Sequence, residues 1–264
     1  MNENIIMTCC VFLMGASFGS FLNVVISRVP LGINIVFPGS HCYSCKTQIK
    51  WYDNIPILSY FILSGKCRFC EEKFSIKYPA VELMTALITI SLFYIFKLTP
   101  IFFIYTILCY ILIAITFIDI DHLIIPDGFI IFGFIFLVIT TIAGWMPISI
   151  KSSTSGAFFF SGFLLLIGFI GEKILKKEAM GGGDIKLGFI IGGFLGFKIS
   201  ILTLYLSFIT AGFIILFGLS IKKISTKKMI PFGPYLALGT LLALLSNRVD
   251  EENIILNWYF SLAF

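Results

Sequence analysis

Two aspartates lie where long apolar runs of this sequence meet polar loops. Asp119 stands in FIDIDHLIIPD, and Asp184 follows three glycines in AMGGGDIK. An aspartate costs about 2.5 to 3.5 kcal/mol at the centre of a membrane helix and less toward its ends, so its presence suggests a function. Two carboxyl groups facing each other at low dielectric constant cannot both ionise readily, so they share a proton. The ionised group can activate water while the protonated group donates to a carbonyl oxygen, as in aspartyl proteolysis.

Each aspartate also has a structural explanation. The glycines before Asp184 would allow close approach of a substrate backbone and positive φ, but they could equally break a helix that Asp184 then caps. On a helix Asp119 and Asp121 point about 200° apart, so only one can face Asp184. Asp127 follows a proline and is explained as a helix N-cap. We favour Asp119 because it continues its apolar run directly.

Four cysteines form a second group suited to chemistry. They lie in two CxxC pairs, Cys42 with Cys45 and Cys67 with Cys70. Each pair supplies two thiolates, and four thiolates complete a tetrahedral zinc site with no open position for water, which predicts structural zinc. Disulfides or free thiols are the alternatives, and a cytoplasmic location disfavours disulfides. His41 is adjacent to this set, and we interpret it as a bystander.

The composition places these residues in a membrane protein. Hydrophobic residues make up 58% of the 264 residues and charged residues 12%, compared with about 25% charged in soluble domains. The sequence therefore predicts an all-α polytopic membrane protein with about eight transmembrane helices and a cytoplasmic zinc-binding loop. The predicted spans lie near 5–27, 79–96, 101–118, 128–146, 156–171, 185–197, 199–221 and 232–246. The sixth, rich in glycine, is either a closely packed helix or a partly re-entrant segment.

The positive-inside rule orients these spans. Of the 19 lysines and arginines, only Lys97, Lys151, Lys198 and Arg248 fall on one side of the predicted membrane. The other side is therefore cytoplasmic, and it carries both aspartates and the cysteine loop. The net charge of +5 does not indicate nucleic-acid binding, since the basic residues lie in loops beside membrane helices, where lipid headgroups account for them.

Several segments together resemble the prepilin peptidases, also called type IV leader peptidases. They are GASFGSFLNVVISRVP, the two CxxC pairs, YPAVE, DIDHLIIPD, MGGGDIKLG and PFGPYLALG, and they occur in family order from the first span to the last. The resemblance implies a bacterial inner-membrane aspartyl protease of the GxGD type. The aspartate of GxGD is then Asp184, and the family's spacing to the following proline matches Asp119 rather than Asp121 for the first catalytic position.

The same resemblance implies substrates and a second activity. Family members remove the basic leader from type IV prepilins or type II secretion pseudopilins, and many with four cysteines also methylate the new amino terminus using S-adenosylmethionine. It divides the chain into a first transmembrane helix (1–28), a tetracysteine zinc-binding loop (29–77) and a membrane-embedded protease domain (78–264). No nucleotide-binding GxGxxG loop follows a strand, so the methyltransferase activity and its cofactor depend on the resemblance alone.

Some polar residues keep two interpretations. Glu82 either complements a helix dipole or has a role near the methylation or leader site. Asn23 and Arg28 could pair within the helix bundle or cap it, and Lys186 could tune a carboxylate or anchor the sixth span. For the whole chain, the alternatives are a transporter or proton-coupled channel using its carboxylates, and a zinc-containing membrane scaffold. The scaffold leaves GGGD and DIDH without a role.

Overall fold

The computed structural model describes residues 2–176, 180–221 and 230–246, and within these ranges the protein is helical with no β-strand beyond two isolated bridges. The helices are α1 (Asn2–Arg28), α2 (Leu58–Ile62), α3 (Lys77–Phe96), α4 (Pro100–His122), α5 (Asp127–Ile142), α6 (Ile150–Leu175), α7 (Gly182–Ser220) and α8 (Gly233–Leu245). Except for the short α2, each is a long apolar run, as the sequence predicts for membrane helices.

Five described helices are long and apolar enough to cross a membrane, namely α1, α3, α4, α6 and α7, while α5 and α8 are shorter apolar helices. This confirms the all-α polytopic membrane fold. The eight predicted spans correspond to seven helices, because the sixth and seventh spans are the two parts of α7. The prediction that Asp127 is a helix N-cap is wrong. Pro126 occupies the N-cap position of α5, and Asp127 is the first helical residue.

The two parts of α7 meet at Gly196, whose backbone is not helical (φ 72°, ψ 174°). A Cβ atom at this position would lie 2.6 Å from Ser152 Oγ, so both the positive φ and the contact with α6 require glycine. The other glycines of this region are buried against α5 and α6. Of the two interpretations of the sixth span, the closely packed helix is therefore the one observed.

The chain forms two compact units, Met1–Tyr94 and Ile95–Phe264. In the first, α1 packs against α3 through glycines of the GASFG segment. A Cβ atom on Gly15 would lie 2.8 Å from Ala86 Cα, and one on Gly19 would lie 2.6 Å from Glu82 Cα. Small residues thus allow the two helix backbones to approach closely.

In the second unit, α4 is the most enclosed of the membrane-length helices, with 72% of its most apolar window buried. Helices α5 and α6 run between the end of α4 and the start of α7. This out-and-back path returns the chain to the end of the unit where α4 finishes. It therefore brings the start of α7 close to the last turns of α4.

Candidate active site and metal centre

Asp119 lies in the last turns of α4 and is 5% exposed. The helix ends where Leu123 adopts a left-handed conformation and donates its N–H to Asp119 O. The carboxylate Oδ2 accepts a hydrogen bond of 3.0 Å from the backbone N–H of Gly233, the first residue of α8. Since a helix N-terminus carries a partial positive charge, this contact places Asp119 in a favourable position for a carboxylate.

Asp184 is the third residue of α7 and is 8% exposed. Its N–H donates to Gly181 O at 3.1 Å, and Gly181 holds the N-cap position. Asp184 is therefore not the N-cap residue, but its carboxyl group accepts a hydrogen bond from the backbone N–H of Gly181 and lies in the positively polarised first turn. Within the described residues Asp184 Oδ1 is buried with no hydrogen-bond partner. Such an orphaned acceptor is costly unless a ligand or water completes it, so this atom is available to a bound substrate.

The two carboxyl groups are near enough that the charge of Asp119 acts on Asp184. Asp121, by contrast, is exposed, as the 200° argument predicts for a residue two positions from a buried one. Asp127 accepts a hydrogen bond of 2.7 Å from Lys186 Nζ at the surface. This ion pair accounts for Lys186, which anchors the start of α7 to the start of α5.

The sequence pattern does not indicate a role for Gly233, although this residue lies in the PFGPYLALG segment. A Cβ atom at this position would lie 2.7 Å from Asp119 Oδ2, which is closer than real contacts allow. Gly233 thus holds the Asp119 carboxylate in two ways. It donates its N–H to Oδ2, and it has no side chain that would displace the carboxylate. The available signal was a glycine followed by proline at the start of an apolar run, which marks a helix N-terminus but does not reveal its partner.

The four predicted zinc ligands lie together, with the Sγ atoms of Cys42, Cys45, Cys67 and Cys70 all within 4.8 Å of one another. The sulfurs of Cys42 and Cys70 are 3.7 Å apart, and those of Cys45 and Cys67 are 3.9 Å apart. A tetrahedral zinc ion with Zn–S bonds of about 2.3 Å separates its sulfurs by about 3.8 Å. The cluster therefore has the dimensions to hold zinc, and its thiols are not joined as disulfides.

Both CxxC pairs fold in the same way. The first cysteine of each pair donates its N–H to the carbonyl five residues on, and its own carbonyl accepts an N–H from the residue four positions on. That fourth residue, Lys46 or Glu71, has positive φ in both pairs. The repeated turn directs both thiols of each pair to one point. His41 lies outside the cluster, and its Nδ1 is 2.9 Å from Gly39 O.

Local hydrogen bonds also prepare the thiols for a cation. The side chain and the backbone N–H of Thr47 lower the pKa of Cys45 to about 6, so its thiolate form predominates at neutral pH. At Cys70 a hydrogen bond to the backbone of Glu72 favours the thiolate, but desolvation and the three neighbouring thiols raise the pKa to about 12. A cation at the centre would remove this mutual repulsion, because metal ligation favours deprotonated thiols.

Sequence comparisons add an independent result. The family model of the bacterial Peptidase A24 N-terminal domain matches residues 13–96, and that of the type IV leader peptidase family matches residues 106–216. Relatives named prepilin leader peptidase/N-methyltransferase match most of the chain. The protein from Aeromonas salmonicida is 32% identical over 95% of this chain and 93% of its own length. The one from Pseudomonas aeruginosa is 33% identical over 89% of each. No solved structure gives a significant match.

Proposed function

The chain belongs to the type IV leader peptidase family, and from this premise we propose that it removes the leader peptide from type IV prepilins or type II secretion pseudopilins. It then methylates the amino terminus that cleavage releases. The first activity makes it an aspartic endopeptidase, and the second makes it an N-methyltransferase. Membership of this family leaves the transporter and the chemically inert scaffold without support.

The observation that carries the protease assignment is the buried pair Asp119 and Asp184. Their carboxyl groups come from the end of α4 and the start of α7, which are separated by two helices in the chain. Both groups are buried, and each lies beside the N-terminal end of a helix. Burying two acidic groups near each other costs free energy that a purely structural role would not require.

In the proposed mechanism the pair holds one proton. The ionised carboxylate accepts a proton from water, whose oxygen attacks the scissile carbonyl carbon, while the protonated carboxyl donates to the carbonyl oxygen. Collapse of the tetrahedral intermediate breaks the C–N bond, and the leaving amine takes up a proton from the pair. The unpartnered Asp184 Oδ1 is suited to contact this reacting group.

We place the active site on the cytoplasmic side of the bacterial inner membrane. This placement is supported by the loop charges, because the basic residues concentrate on the side that carries both aspartates. A substrate with a basic cytoplasmic leader and an apolar membrane helix would present its scissile bond at that interface. The protein is surrounded by membrane lipids, and cleavage near the surface gives water access to the bond.

The remaining parts of the proposal concern the cofactors. Zinc bound by Cys42, Cys45, Cys67 and Cys70 would stabilise the loop between α1 and α3, since four thiolate ligands leave no open coordination position. S-adenosylmethionine supplies a methyl group on a sulfonium centre for transfer to the new amino terminus. The functional division into residues 1–28, 29–77 and 78–264 remains a proposal.

The protease assignment is tested with a synthetic prepilin and the purified protein in lipid nanodiscs. We expect Asp119→Asn and Asp184→Asn each to reduce leader cleavage by about 10³-fold or more, since the chemistry needs both carboxyl groups. Asp121→Asn is the matched control, because this aspartate is exposed two residues away. Mass spectrometry of the mature amino-terminal peptide measures both the cleavage site and the addition of a methyl group. Normal processing by either active-site variant would reject the assignment.

A further inference from the structure

An apolar groove lies between α6 and the second part of α7, and it shares no residue with the aspartate pair or the zinc centre. It has a volume of about 450 Å³ and is lined by seven apolar or aromatic residues. Phe159 and Phe163 line it on α6. On α7 the lining extends from Ile201 to Ile209, about 12 Å along the helix axis or just over two helical turns. A volume of this size is typical of a binding site.

One end of the groove is connected to the aspartate pair by a series of aromatic rings. The ring centroids of Phe163 and Phe208, which face each other across the groove, are 6.0 Å apart. The ring of Phe208 is in turn 5.2 Å from that of Phe232. Phe232 immediately precedes Gly233, whose N–H is 3.0 Å from Asp119 Oδ2. A segment lying in the groove would therefore have one end beside the aspartates.

The other end of the groove lies near the break in α7. The ring of Phe159 is 5.0 Å from that of Phe197, which follows the non-helical Gly196. In the orientation that the loop charges predict, the neighbouring Lys198 falls on the side opposite the cytoplasm. The groove thus runs from the aspartates toward the outer side of the membrane. A prepilin has the same direction, because its basic leader is cytoplasmic and its apolar helix follows the scissile bond into the membrane.

Tyr205 favours a protein helix over lipid as the occupant of the groove. Its side chain lines the groove and is 63% exposed. It lies nine residues after Gly196, about 13 Å along the helix and therefore within the hydrocarbon. Within the described residues its hydroxyl forms no hydrogen bond. Acyl chains offer this hydroxyl no partner, which costs free energy, whereas a polar side chain of a bound helix can supply one.

We propose that this groove binds the apolar helix of the prepilin or pseudopilin, with the first turns after the scissile bond against Phe163, Tyr205 and Phe208. The inference rests on the protease part of the proposed function, and it adds the surface that recognises the substrate. Helices bind apolar grooves through side chains at positions i, i+3, i+4 and i+7, and a groove of two turns fits that pattern. A helix held there has its amino end, and so the scissile bond, beside the aspartate pair.

The first test maps the contact by photocrosslinking. A synthetic prepilin with photoleucine in the second turn after the scissile bond is irradiated with the full-length wild-type protein in nanodiscs. Peptide mass spectrometry then identifies the site of attachment, and the label remains on the helix whether or not the leader has been removed. We expect attachment within residues 159–163 or 201–209, which line the groove. Attachment to other parts of the chain, or to lipid alone, would overturn the location.

The second test fills the groove at the end away from the aspartates. Ile201 lines the groove and is 47% exposed, so Ile201→Trp places a larger ring in the groove without disturbing the packed interior. We expect KM for the prepilin to rise about tenfold while kcat changes by less than about twofold, because substrate binding is weakened and the chemistry is not. Ile214→Trp is the matched control, since Ile214 is exposed on the same helix outside the groove. Its KM should equal that of the wild type.

An unchanged KM in Ile201→Trp, or an equal rise in Ile214→Trp, would show that the groove does not bind the substrate. If Ile201→Trp does not fold, the crosslinking experiment decides, because it uses the wild-type protein. Failure of the protease assignment has a different result, since cleavage would then persist in Asp119→Asn or Asp184→Asn. Failure of the groove alone leaves cleavage dependent on both aspartates.

Discussion

The absence of a side chain at Gly233 is as important for the position of the Asp119 carboxyl group as the backbone N–H of Gly233. Gly233 lies against Asp119 at the first turn of α8, and its N–H is 3.0 Å from Asp119 Oδ2. The contact joins residues 114 positions apart in the chain. A carboxyl group held by a backbone donor has little freedom to rotate, so α8 fixes the orientation of the Asp119 carboxyl group.

We predict that Gly233→Ala reduces leader cleavage by about 10²-fold, because small displacements of catalytic groups have effects of this size. The added Cβ atom would begin 2.7 Å from Asp119 Oδ2 and must displace the carboxylate. The measurement is the cleavage rate of a synthetic prepilin at saturating substrate. Gly212→Ala is the control, since a Cβ atom there meets no atom within 4 Å. Full activity of Gly233→Ala would show that Asp119 does not need this position.

Among the described residues, helices α6 and α7 make the closest approach of two backbones that the glycines reveal. A Cβ atom on Gly192 would lie 2.3 Å from Gly156 O, and one on Gly156 would lie 2.4 Å from Gly192 O. Ser153 Oγ also donates to Gly193 O at 2.8 Å. In a membrane, where apolar burial does not drive association, such close packing and interhelical hydrogen bonds hold helices together. The pair thereby supports the start of α7, which carries Asp184.

Gly192→Ala is therefore expected to lower the stability of the protein by about 1 to 3 kcal/mol, as overpacking does in other well-packed cores. Thermal unfolding in nanodiscs measures the change. Gly162→Ala is the control, because Gly162 lies on the partner helix α6 in open space, and it should leave the melting temperature unchanged or slightly raised. Equal melting temperatures for Gly192→Ala and the wild type would contradict the close packing.

The cysteine loop has little regular secondary structure to stabilise it. The loop between α1 and α3 has only one short α-helix, α2, together with two short 3₁₀ helices. We expect about one zinc per chain, falling below about 0.1 in Cys67→Ser, since three thiolates no longer complete the site. Elemental analysis of protein purified under reducing conditions without chelator measures this. Cys9→Ser, in α1, should retain the metal. Wild-type protein without zinc would reject the site.

At the scale of the whole molecule, the two compact units coincide with the two family matches. Residues 13–96 of the first match cover most of the unit with the cysteine loop, and residues 106–216 of the second lie in the unit with the aspartates. Two family models in one chain are consistent with two activities. Each unit contains its own group of buried polar residues, as expected if each carries separate chemistry.

The orientation of the whole molecule gives a further prediction. If the charge rule holds, a membrane-impermeant amine reagent should label Lys50 in inside-out vesicles but not in spheroplasts. Lys151 should show the reverse pattern, and it provides the control because both lysines are exposed. Peptide mass spectrometry identifies the labelled residues. Labelling of Lys50 from the outside would place the aspartates on the opposite face from the one proposed.

The membrane class, the four-cysteine ligand set and the short list of candidate aspartates could all be predicted from the sequence. Composition and span length determine whether a chain can insert into a membrane. The CxxC spacing alone brings two thiols to one point. The angle between Asp119 and Asp121 can also be predicted from the sequence, because it follows from the helical repeat. The helical breaks were predicted well for the same reason, and they include the one at Gly196, close to the predicted boundary between the sixth and seventh spans.

Contacts between segments far apart in the chain could not be predicted in this way, because they depend on the tertiary structure. The Gly233 donor, the pairing of Lys186 with Asp127 and the contact between Phe208 and Phe232 have no local signal, because many arrangements of the same helices satisfy the same hydrophobic pattern. Close packing selects one of them. The residue types and their spacing therefore show which residues could do chemistry, whereas the packing of the helices determines which of them lie within reach of one another.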